Sequence, residues 1–210
     1  MLLKFCIPCC AIFLMLGSPH ARGADQSDPD WPCVQRKVPT ISAGMIWAGP
    51  PIDEKVISAW SADETISRLV PRLAARRTEL EEAGTLIKTF ASGLSPSARG
   101  NQLTLLFTGV LTTINSERRQ IMAGIERYTR KQRELAQTVR GTRDKLNAVL
   151  KIANLSDADK KRRRELEEAL NWQSRIHDER VKSLKFVCES PVLLEQRAFA
   201  IARTIMNHLE

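Results

Sequence analysis

The feature that most constrains this chain is a stretch with no helix breaker from about Ser97 to Asn154-Leu155-Ser156. Within it, two seven-residue registers run in parallel. One reads Leu111, Arg118, Ile125, Gln132, Val139, Leu146, Ala153, and the other Phe107, Ile114, Ile121, Tyr128, Leu135, Thr142, Val149. A seven-residue apolar repeat lays its members along one stripe of an α-helix, and a stripe sustained this long is the pattern of helices wound together. At 1.5 Å per residue the helix would be about 85 Å long, more than a compact domain accommodates. The polar members Arg118, Gln132 and Thr142 are expected to set register rather than to carry chemistry.

Helical patterns flank it on both sides. Upstream, Ser61 with Glu64 reads as a capping box. It is followed by Ile66, Leu73, Leu80, Ile87 and Leu94 on one heptad set and by Leu69, Ala83 and Phe90 on the other, interrupted only by Arg76. Pro71 is expected to kink this first helix or to mark a restart, and Gly93-Leu94-Ser95-Pro96 to stop it. Downstream, Ser156 with Asp157 and Asp159 opens a third helix. Its apolar positions Leu166, Leu170, Ile176, Val181, Leu184 and Val187 drift from a strict heptad, and Pro191 is expected to bend it.

Short connections force antiparallel neighbours. With turns near residues 95 and 155, the broadly apolar Leu103 to Ile114 should lie opposite roughly residues 76–87 of the first helix and 196–207 of the third. Beyond Tyr128 and before about residue 180, helices two and three have only each other. The expected fold is all-α: a long antiparallel helical hairpin or coiled coil with a three-helix body (61–210) and a protruding arm over about 129–179.

The start of the chain is of another kind. Lys4, the apolar run Phe5 to Leu16 and Ala21-Arg22-Gly23 read as a secretory signal over residues 1–23, cleaved before Ala24; the run is too short to span a membrane as a helix. Its removal takes Cys6, Cys9 and Cys10 with it. That leaves Cys33 and Cys188, which in an exported chain most simply form one disulfide. Closing so large a ring is worth about 5 kcal/mol in the chain-entropy account. Residues 24–60 carry Pro29, Pro32, Pro39, Pro50 and Pro51 with Trp31, Trp47 and Trp60. They predict an extended segment with one helical turn at Asp53 to Ala59, laid on the helical body and tied to it by Cys33. Binding of an external ligand by Trp31-Pro32-Cys33 is the alternative use of these residues.

Composition narrows the function classes. Charged residues at 27% and a mean hydropathy of -0.25 exclude a polytopic membrane protein, 43% hydrophobic residues exclude a largely disordered chain, and 5% aromatics disfavour a β-sandwich. The formal net charge is +8, and five basic residues are consecutive, Lys160-Lys161-Arg162-Arg163-Arg164. They stand in the first turns of a helix, where the macrodipole disfavours cations, and Glu165, Glu167 and Glu168 follow rather than precede them. An ordinary helix start would reverse that order, so the run is a candidate contact for an anionic surface or an acidic protein face. Nucleic acid is disfavoured because no aromatic residue interleaves the run to stack bases. His177 and His208 lack partners at a metal-ligand spacing, and no phosphate-cradling or nucleophile motif occurs, so neither a metal nor any other cofactor is expected.

These observations converge on a secreted or periplasmic, non-enzymatic coiled-coil protein acting as scaffold or adaptor, with no integral span after signal cleavage. Its partner would be an envelope protein or an anionic surface met by the arm, and any apolar stripe left uncovered would serve self-association. The rivals are a basic module for anionic lipid, glycan or lipopolysaccharide, and a holdase-like periplasmic chaperone.

Overall fold

A computed structural model describes residues 28–209. The export signal read over residues 1–23 lies outside the described residues. Within them the secondary structure is helical, with no strand: α1 Ala43–Ile46, α2 Glu54–Ala59, a 3-10 turn Trp60–Ala62, α3 Glu64–Ala74, α4 Leu80–Ser92, α5 Pro96–Leu150 and α6 Asp157–Met206.

The two long helices follow from local chemistry. Pro96 opens α5 at a position where its missing N–H costs nothing, and α5 then runs 55 residues. At α6 the Ser156 hydroxyl accepts from the Asp159 backbone N–H while the Asp159 carboxylate accepts from the Ser156 N–H, a reciprocal cap. That carboxyl is held below its ordinary range chiefly by the hydrogen bond from the Ser156 side chain. Pro191 does not end α6, which continues through it to Met206 for a total of 50 residues. The pair forms an antiparallel hairpin, and three polar bridges record its register: Tyr128 Oη donates to Arg180 O (2.8 Å), Gln132 Nε2 to His177 O (2.8 Å), and Thr142 Oγ1 to Gln173 Oε1 (2.9 Å).

The first helix departs from expectation in three ways. Its cap is Asp63, whose Oδ1 accepts from Thr65 N and Ile66 N (both 3.0 Å), rather than Ser61. It is broken at residues 75–79 rather than at Pro71, which sits inside α3. At the far end Gly93 keeps a negative φ (-83°), so α4 stops without a left-handed glycine; the Leu94 N–H bonds instead to Ala91 O at 3.2 Å. The break changes the packing. Because the chain redirects after Ala74, α3 lies along α5 while α4 packs mainly against α6. Val70, not a residue near 81, therefore stands against Gly109: a Cβ placed on Gly109 would lie 2.6 Å from Val70 Cγ2 and 2.8 Å from the Trp60 ring. The body is thus built from four helical segments rather than three.

Its core collects Ile66, Val70 and Leu73 of α3, Ala83 and Ile87 of α4, Leu103 to Ile114 of α5, and Leu194, Ala198, Ile201 and Ile205 of α6. The two most apolar stretches of the long helices meet there, as the sequence places them. Leu80, in the first heptad set, is half exposed because it opens α4 after the break. Arg197, buried in this core, donates through Nε to Leu73 O (2.6 Å), one of the carbonyls that the end of α3 leaves without an intrahelical donor.

The N-terminal segment packs on the body; α2 falls on the expected helical turn, and α1 is a further helix that the prolines did not suggest. Asp53 caps α2 by accepting from Val56 N at 2.9 Å. The Trp47 ring stacks on Phe107 with centroids 4.2 Å apart, and Trp60 covers the Gly109 face of α5. Cys33 and Cys188 form a disulfide across a Cα–Cα distance of 5.6 Å. Among the described residues, no helix is long and apolar enough to cross a membrane.

Candidate functional site

Two surfaces carry the charge and exposed apolar area that a partner could use, and the disulfide clamp positions one of them. At the clamp, Gln35 Nε2 donates to the backbone O of Cys188, and Trp31 Nε1 donates to Gln35 O at 2.7 Å. Asp30 receives Arg130 (2.7 Å) and Arg133 from α5, while Lys37 bridges Asp28 (2.6 Å) and Glu126. The Asp30 carboxyl is held below the ordinary range by its hydrogen bonds from Arg130 and then Arg133, and Asp28 likewise by Lys37. The Lys37 ammonium is raised in turn, first by Asp28 and then by Glu126.

Deeper in, two α5 side chains hold the backbone of the segment. Asn115 accepts from Ile41 N (2.7 Å) through Oδ1 and donates Nδ2 to Ile41 O (3.0 Å), so one amide satisfies both polar groups of a buried residue. Arg118, 3% exposed, donates to Val38 O (2.8 Å) and to Pro191 O, with Glu195 at 3.5 Å. Burial pulls its guanidinium below the usual arginine range, with Glu195 opposing. Arg118 was expected only to set heptad register. It is instead the bolt between segment, α5 and α6, which a stripe of residue types cannot reveal because its partners are backbone carbonyls.

Beside the disulfide, Pro32, Val34, Val181, Leu184, Val192 and Leu193 line an open groove of about 550 Å³. Trp31 does not line it; its indole is engaged within the segment. Of the Trp31-Pro32-Cys33 alternative, only Pro32 and Cys33 therefore face this space.

The second surface is the far end of the hairpin. Past the clamp at Arg133, α5 and α6 cover each other, and Thr142, Leu146 and Val149 are the α5 positions buried there. All five residues of the basic run lie in the first turns of α6. Lys160, Lys161, Arg162 and Arg164 are exposed and Arg163 is partly covered. Lys160 pairs with Asp157 (3.0 Å), Lys161 with Glu165 (3.9 Å) and Arg163 with Glu167 (3.5 Å). Arg162 and Arg164 make no ion pair within 4 Å among the described residues. Such exposed pairs are worth about 0–1 kcal/mol and do not neutralise the surface. Leu150 and Ile152, 54% and 42% exposed, stand at the tip beside Lys151. The basic run was legible in sequence; the two apolar residues at the tip were not singled out, because only the turn geometry separates them from the buried Leu146 and Val149.

His177 Nδ1 lies 3.2 Å from Asp178 Oδ1 on an exposed part of α6, and His208 is at the far, body end of that helix. Among the described residues, no group of three or more His, Cys, Asp or Glu stands close enough to hold a metal ion. Comparison with protein-family models, curated proteins and solved structures finds no match to this chain.

Proposed function

We propose that this chain is an exported, non-enzymatic scaffold or adaptor of the cell envelope whose α5–α6 hairpin acts as an antiparallel coiled-coil arm, reaching from about residue 129 to 179 to engage a partner. The observation that carries the reading is the division of labour along α5. Its first half is buried under α2, α3 and α6, the clamp covers it as far as Arg133, and its last turns are covered by α6 alone. A structural domain with no external task has little use for two helices that continue past their core. The heptad registers and the bridging Gln132 and Thr142 support the same reading, as does the sequence of residues 1–23 if it acts as the export signal it reads as.

In-cell photo-crosslinking tests it, with a crosslinker placed at exposed arm positions such as Glu134 and Arg175 and, for comparison, at Lys88 on the body. Discrete adducts from the arm, lost when residues 137–171 are replaced by a short turn that leaves the body helical, are expected. Adducts from Lys88 alone would overturn it. Export is checked separately by fusing residues 1–27 to a reporter active only outside the cytoplasm.

A further inference from the structure

The far end of the hairpin combines two exposed apolar residues in the turn with exposed cations on the helical turns that flank it. Leu146 and Val149 are buried and close the pair of helices from inside. The next apolar residues, Leu150 and Ile152, are surplus to that closure and point to solvent on either side of Lys151. Around them, residues 140–168 hold nine Lys or Arg against six Asp or Glu, a net of +3.

The cations are only partly engaged within the helix: Lys160, Lys161 and Arg163 pair locally, while Arg162 and Arg164 make no ion pair within 4 Å among the described residues. Of the acidic residues, Asp159 is in the cap of α6 with Asp157 beside it, and Glu165 and Glu167 take up Lys161 and Arg163. Five consecutive helical residues sweep all the way round the helix at about 100° each, so the run Lys160 to Arg164 is not a solvated outer face alone. Arg140, Arg143, Lys145 and Lys151 are exposed on the facing element. The helix dipole at this end of α6 opposes these cations, so their number is unexplained by local stability.

We infer that the tip is a membrane-contact device: the cations dock on the anionic headgroups of a lipid bilayer, and Leu150 and Ile152 enter the boundary between headgroups and acyl chains. Charge complementarity selects the anionic surface, and the apolar pair selects a bilayer over a soluble polyanion, since sulfated or phosphorylated chains in water offer no medium for a buried isoleucine. Neither signal alone holds a protein at a membrane firmly; the two together do. The inference names the partner of the arm and rests on the adaptor reading only in placing the arm at an envelope.

The test uses the disulfide-bonded chain from Ala24, since the core and the disulfide lie downstream of it. Flotation with phosphatidylglycerol-containing vesicles at low salt should carry the protein up, and pure phosphatidylcholine vesicles should not. Replacing Lys160 through Arg164 by Gln should lower the partition coefficient at least about a hundredfold. The double change Leu150→Ser and Ile152→Ser should lower it about tenfold while leaving retention on a heparin column unchanged. Both sets alter exposed side chains, and far-UV circular dichroism verifies the fold.

Absence of binding to the anionic vesicles overturns the inference. So does equal binding to both lipid compositions. If the apolar variant floats like the parent while the charge variant loses vesicles and heparin alike, the tip is a polyanion site instead and the bilayer assignment falls. Failure here alongside arm-specific crosslinks would leave the adaptor reading standing; success here with crosslinks from the body alone would remove that reading and leave the tip.

Discussion

Gly109 shows how narrowly one position is determined. It lies inside the first third of α5, where glycine costs about 1 kcal/mol relative to alanine, yet a Cβ there would press to 2.6 Å against Val70 and 2.8–2.9 Å against the Trp60 ring. Packing wins over propensity, because overfilling a tight core costs about 1–3 kcal/mol. Gly109→Ala should therefore lower thermal stability. Gly84→Ala, where nothing lies within 4 Å of the new carbon, should raise it by about 0.5–1 kcal/mol. Parallel thermal melts of the two variants decide this; a stabilised Gly109→Ala would mean that Trp60 yields freely. Asn115 is the polar counterpart. Asn115→Ala strands both backbone groups of Ile41 in a covered site and should cost about 2–4 kcal/mol by denaturant titration.

At the scale of elements, the N-terminal segment is the part whose attachment depends on pH. Asp28 and Asp30 have carboxyls held below their ordinary range, so the stability they supply is complete above about pH 4 and is lost as pH falls through their lowered folded values. Lys37 is raised; its contribution is complete below about pH 10.4 and is lost as pH rises through its higher folded value. Amide hydrogen exchange over residues 28–40 should thus show a plateau of protection from about pH 5 to 10 relative to intrinsic rates. Protection should fall on acidification while the α5 core stays protected. Loss of protection between pH 5 and 7 would contradict the assignment of Arg130, Arg133 and Lys37 as the clamping cations.

At the scale of the molecule, the disulfide and the hairpin set shape and stability separately. The bond joins the segment to α6 beside Pro191, and the core does not pass through it. Reduction should therefore lower the melting temperature by the equivalent of up to about 5 kcal/mol and open residues 28–40 to protease, with the helical circular dichroism signal retained at room temperature. Small-angle scattering should report an elongated particle in both redox states, with a maximum dimension above about 80 Å set by the 55-residue α5. A radius of gyration near the roughly 17 Å of a compact domain of this length would mean that α5 and α6 fold back in solution.

Periodicity and capping chemistry fixed α5, α6 and their antiparallel pairing, because both are local or depend only on residue spacing. The same reasoning paired Cys33 with Cys188, because they are the only cysteines left once residues 1–23, read as an export signal, are set aside. It failed at α3 and α4, where a heptad continues through residues 75–79 although the helix does not. The redirected chain buries Ala74 and Thr78, brings Leu73 O to Arg197 and sends α4 onto α6; no residue in the linker announces that gain. Arg118, Asn115 and Asp30 became functional parts of the clamp only in three dimensions, since each acts on groups 73 to 103 residues away, and two of the three act on backbone atoms that every sequence possesses. The basic run was written in the chain itself, whereas the exposure of Leu150 and Ile152 beside it depends on where the hairpin turns, which the tertiary structure decides.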